Sequence, residues 1–158
     1  MKVFPLICAS LALVGFTSCT TDGATAASGT SRASMAASIG QEPKGSYFVG
    51  RRYYKKDYKF WGYVRASGSP WSTARMVMMN ENSKFAPDRQ NAAIGSDNNH
   101  EYKLIGEFTG QTVYEPASNG FYPEFRPRGY QLLSMEPAPI YREAGATNPE
   151  RRIIAKPY

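Results

Sequence analysis

The feature that most constrains the fold is an aromatic-rich region, residues 45–141, in which short runs of residues alternate with a period of two. It holds 18 aromatic residues in 97 positions, which is enough to build a hydrophobic core. Gly and Pro interrupt it at short intervals, and no long stretch shows the 3.6-residue period of an amphipathic helix. The pattern therefore predicts an all-β domain made of short strands.

Two runs show the alternation most clearly. In residues 58–65, one face is predicted to carry Tyr58, Phe60, Gly62 and Val64, and the other Lys59, Trp61, Tyr63 and Arg65. In residues 102–109, one face is predicted to carry Tyr102, Leu104, Gly106 and Phe108. Further strands are expected at 46–55, 74–80, 121–126 and 129–135, with turns at Gly110-Gln111 and at 117–120. Six or seven such strands predict a small single-domain barrel or sandwich, with an SH3-like barrel as first choice and an open sandwich as second.

The N-terminus has the pattern of an export signal. Lys2 precedes an uncharged apolar stretch, residues 3–16, which as a helix would rise about 21 Å and is too short to span a bilayer core of about 30 Å. The stretch ends in Phe16-Thr17-Ser18-Cys19. Over residues 1–19 the sequence resembles bacterial lipoprotein precursors, in which small residues precede a cysteine that is lipidated and becomes the mature N-terminus.

This resemblance implies a signal peptide at 1–18 and three acyl chains on Cys19, which would hold the protein stably in a membrane of the bacterial cell envelope. Thr20, in place of an Asp after the cysteine, implies the outer membrane, on its periplasmic face. The alternative is ordinary secretion with cleavage near Ala26, which would leave a soluble secreted or periplasmic protein.

Three segments are expected after the signal peptide. Residues 19–44, rich in Ser, Thr, Ala and Gly, predict a flexible, disordered tether, with a weak helix over 32–39 as the alternative. Residues 45–141 form the compact β domain. Residues 142–158 are a basic tail whose last residues are expected to be loosely held, with a short edge strand at 151–154 as the alternative.

The candidate binding surface is a basic, aromatic segment, residues 44–65. It holds seven Lys and Arg residues against one acid, Asp57, in a chain of net charge +6, and it also holds eight aromatic residues. Exposed cations beside exposed rings attract and stack on anionic ligands, so the predicted site residues are Lys59, Trp61, Tyr63, Arg65, Arg51 and Arg52. The alternative is a structural role, in which the rings are core and the cations protect strand edges. Export argues against nucleic acid as the ligand.

Motifs for catalysis or metal binding are weak. Beyond Cys19 the chain has no cysteine, and His100 is its one histidine, so no metal or other cofactor is predicted. The run from Asp97 to Glu101 lacks the ladder of oxygens of a calcium loop. No G-x-S-x-G motif is present, and only Glu115 and Glu124 are candidates for a pair of catalytic carboxylates.

The sequence therefore predicts a membrane-anchored envelope lipoprotein with a non-catalytic binding or accessory domain. Its expected partners are the membrane, through the N-terminal lipid, and an anionic envelope component or a partner protein. The alternatives are a structural subunit of an envelope assembly and an enzyme that acts on cell-wall or polysaccharide material.

The lipid anchor can be tested directly. We expect Cys19→Ser to leave the precursor unprocessed or to release a soluble form, because the acylated thiol is lost. Metabolic labelling with a fatty acid should mark the wild-type chain alone. Equal labelling of both forms would contradict the lipoprotein assignment.

Overall fold

The computed structural model describes residues 23–158, with side-chain surroundings from residue 32 onward. Its elements are α1 (Gly23–Gly40), β1 (Phe48–Arg52), β2 (Gly62–Ala66), β3 (Arg75–Met79), a short helix α2 (Pro87–Gln90), β4 (Glu101–Glu115) and β5 (Gly120–Ser134). The predicted signal peptide and Cys19 lie outside the described residues. Within residues 23–158 no helix has the length and hydropathy needed to cross a bilayer.

The five strands close into a barrel in the order β1-β2-β3-β5-β4. β1 pairs antiparallel with β2 and β4, and β3 pairs parallel with β5 at Met78 and Glu124. The predicted all-β, single-domain barrel is therefore confirmed. Because β3 and β5 run parallel, the chain must cross from the end of β3 to the start of β5. The long connection over residues 80–100 and β4 make this crossover. The result is a closed barrel of five strands.

The barrel interior is filled by side chains that alternate along the strands. The buried residues there are Trp61, Val64, Val77, Ala86, Tyr102, Leu104 and Phe125, with Phe48, Met79, Phe108 and Tyr130 packed against them. The predicted inward face of β4, with Tyr102, Leu104 and Phe108, is confirmed. Gly50 of β1 faces these residues. A Cβ there would come within 2.6 Å of Leu104 and 2.8 Å of Trp61, so these two side chains leave room only for glycine.

The predicted facing of residues 58–65 is wrong. Phe60 packs outside the barrel with Tyr63, whereas Trp61 packs inside with Val64. The alternation therefore reverses at Gly62, where a Cβ would overlap the carbonyl oxygen of Arg51 on the neighbouring strand. The alternation over 58–65 requires one continuous strand, but regular pairing with β1 begins only at Gly62.

A second cluster of hydrophobic residues covers the outer face of β1, β2 and β3. The barrel strands and the loops that join them contribute Val49, Tyr53, Phe60, Tyr63, Trp71 and Met76 to this cluster. The C-terminal segment, residues 136–158, contributes the buried Ile140, Ala146 and Ala155. Tyr53 and Tyr63 donate hydrogen bonds of 2.8 Å to the carbonyls of Ile153 and Ala155. The expectation of a loosely held tail is therefore wrong, and the alternative edge strand is not formed either.

The N-terminal segment contains a helix. Residues 23–40 form α1, and the alternative helix predicted over 32–39 lies within it. Met35 and Ile39, four residues apart and therefore on one helix face, pack against the outer cluster. Because α1 has tertiary contacts at these positions, it does not depend on intrinsic helix propensity alone.

The hairpin of β4 with β5 is longer than predicted. No turn forms at Gly110-Gln111; β4 continues through Gly110, with a register shift between Phe108 and Thr112. The predicted turn over 117–120 is confirmed, and Asn119 adopts a left-handed conformation there with φ of 51°. The distal part of the hairpin, residues 109–123, pairs with no strand outside the hairpin among the described residues.

The integration of the C-terminal segment predicts a stability effect. Ile140→Ala should lower the free energy of unfolding by about 2–5 kcal/mol, because it removes a fully buried side chain and leaves a cavity. Ile154→Ala is the matched control, since this side chain of the same segment is 36% exposed and should cost much less. Urea unfolding measures both, and equal small effects would show that the segment is not part of the core.

Candidate functional site

Five of the six predicted binding residues are buried. Arg51, Arg52, Trp61, Tyr63 and Arg65 are each at most 5% exposed, and only Lys59 is exposed. The predicted exposed face of cations and rings is therefore not formed. The physical reason is that β1 and β2 are covered on both sides, by the barrel interior on one and by α1 and the C-terminal segment on the other.

Arg52 ties the connection between β3 and β4 to the barrel. Its Nη2 donates to Asp88 at 3.0 Å, its Nε to Asp97 at 3.3 Å, and its Nη1 to the carbonyl of Trp61. Asp97 also accepts a hydrogen bond of 3.1 Å from the hydroxyl of Tyr102. Burial and the nearby Asp88 charge raise the pKa of Asp97, although Arg52 opposes the shift.

Arg51 and Lys55 hold the C-terminal segment. Arg51 pairs with Glu101 at 2.6 Å and donates to the carbonyl of Ala138 at 3.2 Å. The Nζ of Lys55 donates to the carbonyls of Ala146 at 2.5 Å and Asn148 at 2.8 Å. Burial lowers the pKa of Lys55, and the charge of Arg151 adds to this effect. These cations therefore bind the chain's own backbone.

Arg65 holds the end of α1. Its guanidinium binds both carboxylate oxygens of Glu42, two residues after the helix, and lies 4.7 Å from the ring centre of Trp71. Glu42 also accepts a hydrogen bond of 2.7 Å from the backbone N–H of Gly68. The burial of the rings agrees with the structural alternative for this segment, but these arginines bind other segments of the chain and do not protect strand edges.

An exposed aromatic pair lies at the hairpin tip, which we define as residues 113–122. Tyr114 and Phe121 are cross-strand partners whose ring centres lie 5.1 Å apart. They are 47% and 71% exposed, and Phe121 is the most exposed large hydrophobic residue among those described. The hydroxyl of Tyr114 donates a hydrogen bond of 2.9 Å to Asn119. The tip thus presents an aromatic pair to solvent.

The hairpin tip is braced against the loop between β1 and β2. The buried carboxylate of Glu115 accepts hydrogen bonds from the backbone N–H groups of Ser118 at 2.6 Å and Ala117 at 3.3 Å. Burial would raise the pKa of Glu115, but these hydrogen bonds hold it below its ordinary value. The ring of Tyr122 also lies 5.6 Å from that of Phe60. The exposed rings therefore sit on a rigid support.

This arrangement is suited to binding. Aromatic faces fixed in place can stack on planar or apolar parts of a ligand without a large loss of side-chain entropy. Glu115, one of the two carboxylates considered for catalysis, is buried and bonded to backbone donors. Among residues 32–158 no three His, Cys, Asp or Glu side chains are grouped so as to hold a metal ion. Turn residues and aromatics mark 114–123 in the sequence, but they do not reveal which rings are exposed.

Removal of a buried cation should lower the stability of the folded protein. Arg52→Ala leaves Asp88 and Asp97 without their partner in the barrel, so we expect it to lower the free energy of unfolding by about 3–5 kcal/mol. Lys59→Ala is the control and should change it by less than about 0.5 kcal/mol. If urea unfolding gives similar values for the two variants, the buried network has no structural role.

The brace at Glu115 predicts a pH dependence. Because the pKa of this group is lowered in the folded state, its stabilising effect is present above the unfolded pKa of about 4.5 and is lost as the pH falls through the folded value. Wild type should therefore melt at a higher temperature than Glu115→Gln at pH 7, and the gap should narrow as the pH falls below about 4.5. Calorimetry from pH 7 to pH 3 measures this difference; a constant gap would contradict the prediction.

Comparisons with protein-family models, with curated proteins and with solved structures gave no match for this chain.

Proposed function

We propose that this chain is a lipid-anchored protein of the bacterial cell envelope whose β-barrel is a non-catalytic binding module. The hairpin tip is its contact surface, and its partner is another component of the envelope. The observation that carries the proposal is the exposed pair Tyr114 and Phe121 on a braced turn.

The position of α1 supports the anchored arrangement. Cys19 precedes the helix by four residues, and the far end of the helix is held to the barrel by the ion pair of Glu42 with Arg65. A helix of 18 residues is about 27 Å long. A lipid on Cys19 would therefore keep the barrel close to the membrane surface.

The barrel topology supports the choice of surface by analogy. OB-fold barrels bind oligosaccharides and oligonucleotides through the face of strands 2 and 3 and through the loops between strands 1 and 2 and between strands 4 and 5. In this chain the outer face of β1–β3 is covered by the C-terminal segment. The two loops remain, and the hairpin tip meets the loop between β1 and β2 where the ring of Tyr122 lies 5.6 Å from that of Phe60.

The contact can be trapped in living cells, where the full chain is in its own compartment. We expect a photo-crosslinking amino acid in place of Phe121 to give a covalent adduct with an envelope component. The same amino acid in place of Phe85 is the matched control, since Phe85 is 57% exposed but lies in the connection between β3 and β4. Gel electrophoresis and mass spectrometry detect the adduct and show whether it is a protein or a polymer.

A second variant tests the energetics. Stacking on one ring contributes about 1–3 kcal/mol, so Tyr114→Ala combined with Phe121→Ala should weaken binding at least about tenfold, while Phe85→Ala leaves it unchanged. Adducts of equal yield at positions 121 and 85 would overturn the assignment of the hairpin tip. Equal binding by the double variant Tyr114→Ala with Phe121→Ala and by Phe85→Ala would also overturn this assignment.

A further inference from the structure

A groove of about 400 Å³ lies between α1 and the loop that joins β2 to β3. Its walls are mainly apolar and include Met35, Ala36, Ile39, Pro70, Trp71 and Tyr158. Volumes of about 300–1,000 Å³ with few polar groups are typical of small-molecule sites. The groove uses none of the residues of the hairpin tip.

Two cations lie against the ring of Tyr158, which lines the groove. The guanidinium of Arg32, which lines the groove, lies 5.3 Å from the ring centre of Tyr158, and that of Arg142 lies 5.8 Å from the same centre. Both side chains are exposed, and neither has an ion-pair partner within the described part of the chain. The groove is thus mainly apolar and positively charged beside Tyr158.

We propose that this groove binds a single-chain amphiphile with an anionic head group, such as a fatty acid. The acyl chain lies against Met35, Ile39 and Trp71, and the head group lies beside Arg32. This combination follows from the charge and the walls together, because an apolar groove alone would accept any hydrophobic chain. The site is separate from the hairpin tip and goes beyond the function proposed above.

Chain length should govern affinity. Each methylene buried in the groove should raise affinity by up to about fourfold, until the groove is full. The head-group preference should weaken as salt rises, because Arg32 and Arg142 are exposed and their charges are screened.

The experiment uses the full lipidated chain in membranes, with two photoactivatable probes of the same chain length. One probe carries a carboxylate head and the other a trimethylammonium head. We expect the carboxylate probe to label peptides containing residues 32–40 and 68–72 at least about fivefold more than the ammonium probe. Equal labelling by the two probes would overturn the assignment of an anionic ligand.

Matched variants on α1 test the place of binding. Ala36→Trp fills the groove and should reduce labelling at least about fivefold, whereas Ala37→Trp, at an exposed position that does not line the groove, should leave it unchanged. Arg32→Ala combined with Arg142→Ala tests the head group without filling the groove, and should remove the preference for the carboxylate probe. Labelling that is equal in both tryptophan variants, or a preference that survives the loss of both arginines, would overturn the proposal.

Discussion

A cationic side chain that is removed from water must find acceptors within the protein, because an unpaired buried charge costs several kcal/mol. β1, β2 and the loop between them contain four such side chains, and each one meets a segment that is not a strand of the barrel. Arg52 meets the connection over residues 80–100, Arg51 and Lys55 meet the C-terminal segment, and Arg65 meets the end of α1. Buried ion pairs add little net stability over apolar packing, so their main effect here is to specify where these segments lie.

The consequence for function is that these four buried cations are not available to a ligand. The segment with most of the excess positive charge uses Arg51, Arg52, Lys55 and Arg65 to bind its own chain. The outer face of β1–β3 is covered by residues from the same chain. The far end of the longest hairpin is exposed, and there Tyr114 and Phe121 project on a support that buries Glu115.

Part of this structure could be predicted from the sequence, and the reasons for the rest are physical. The inward face of β4 and the turn before β5 follow from alternation and turn chemistry, since that strand has one buried face and the turn has Asn and Gly. The facing of Phe60 and Trp61 could not be predicted, because both side chains are buried, on opposite sides of the chain. Alternation of polar and apolar residues identifies the buried face only where the other face is exposed to water. Gly110 suggested a turn, but a glycine with positive φ is also accommodated by an irregularity within a strand, as it is here. Counts of Lys and Arg do not reveal burial, which depends on acceptors up to 93 residues away in the chain, as for Lys55 and Asn148.

The most direct test of this account is hydrogen–deuterium exchange on two variants that each remove one buried cation and keep an apolar stem. In Lys55→Met, exchange should rise at residues 144–150 and stay unchanged in α1. In Arg65→Met, exchange should rise at residues 33–44 and stay unchanged at 144–150, while the barrel strands remain protected in both variants. Exchange that is unaltered in both, or that rises throughout the barrel, would contradict the claim that each buried cation holds one specific segment in place.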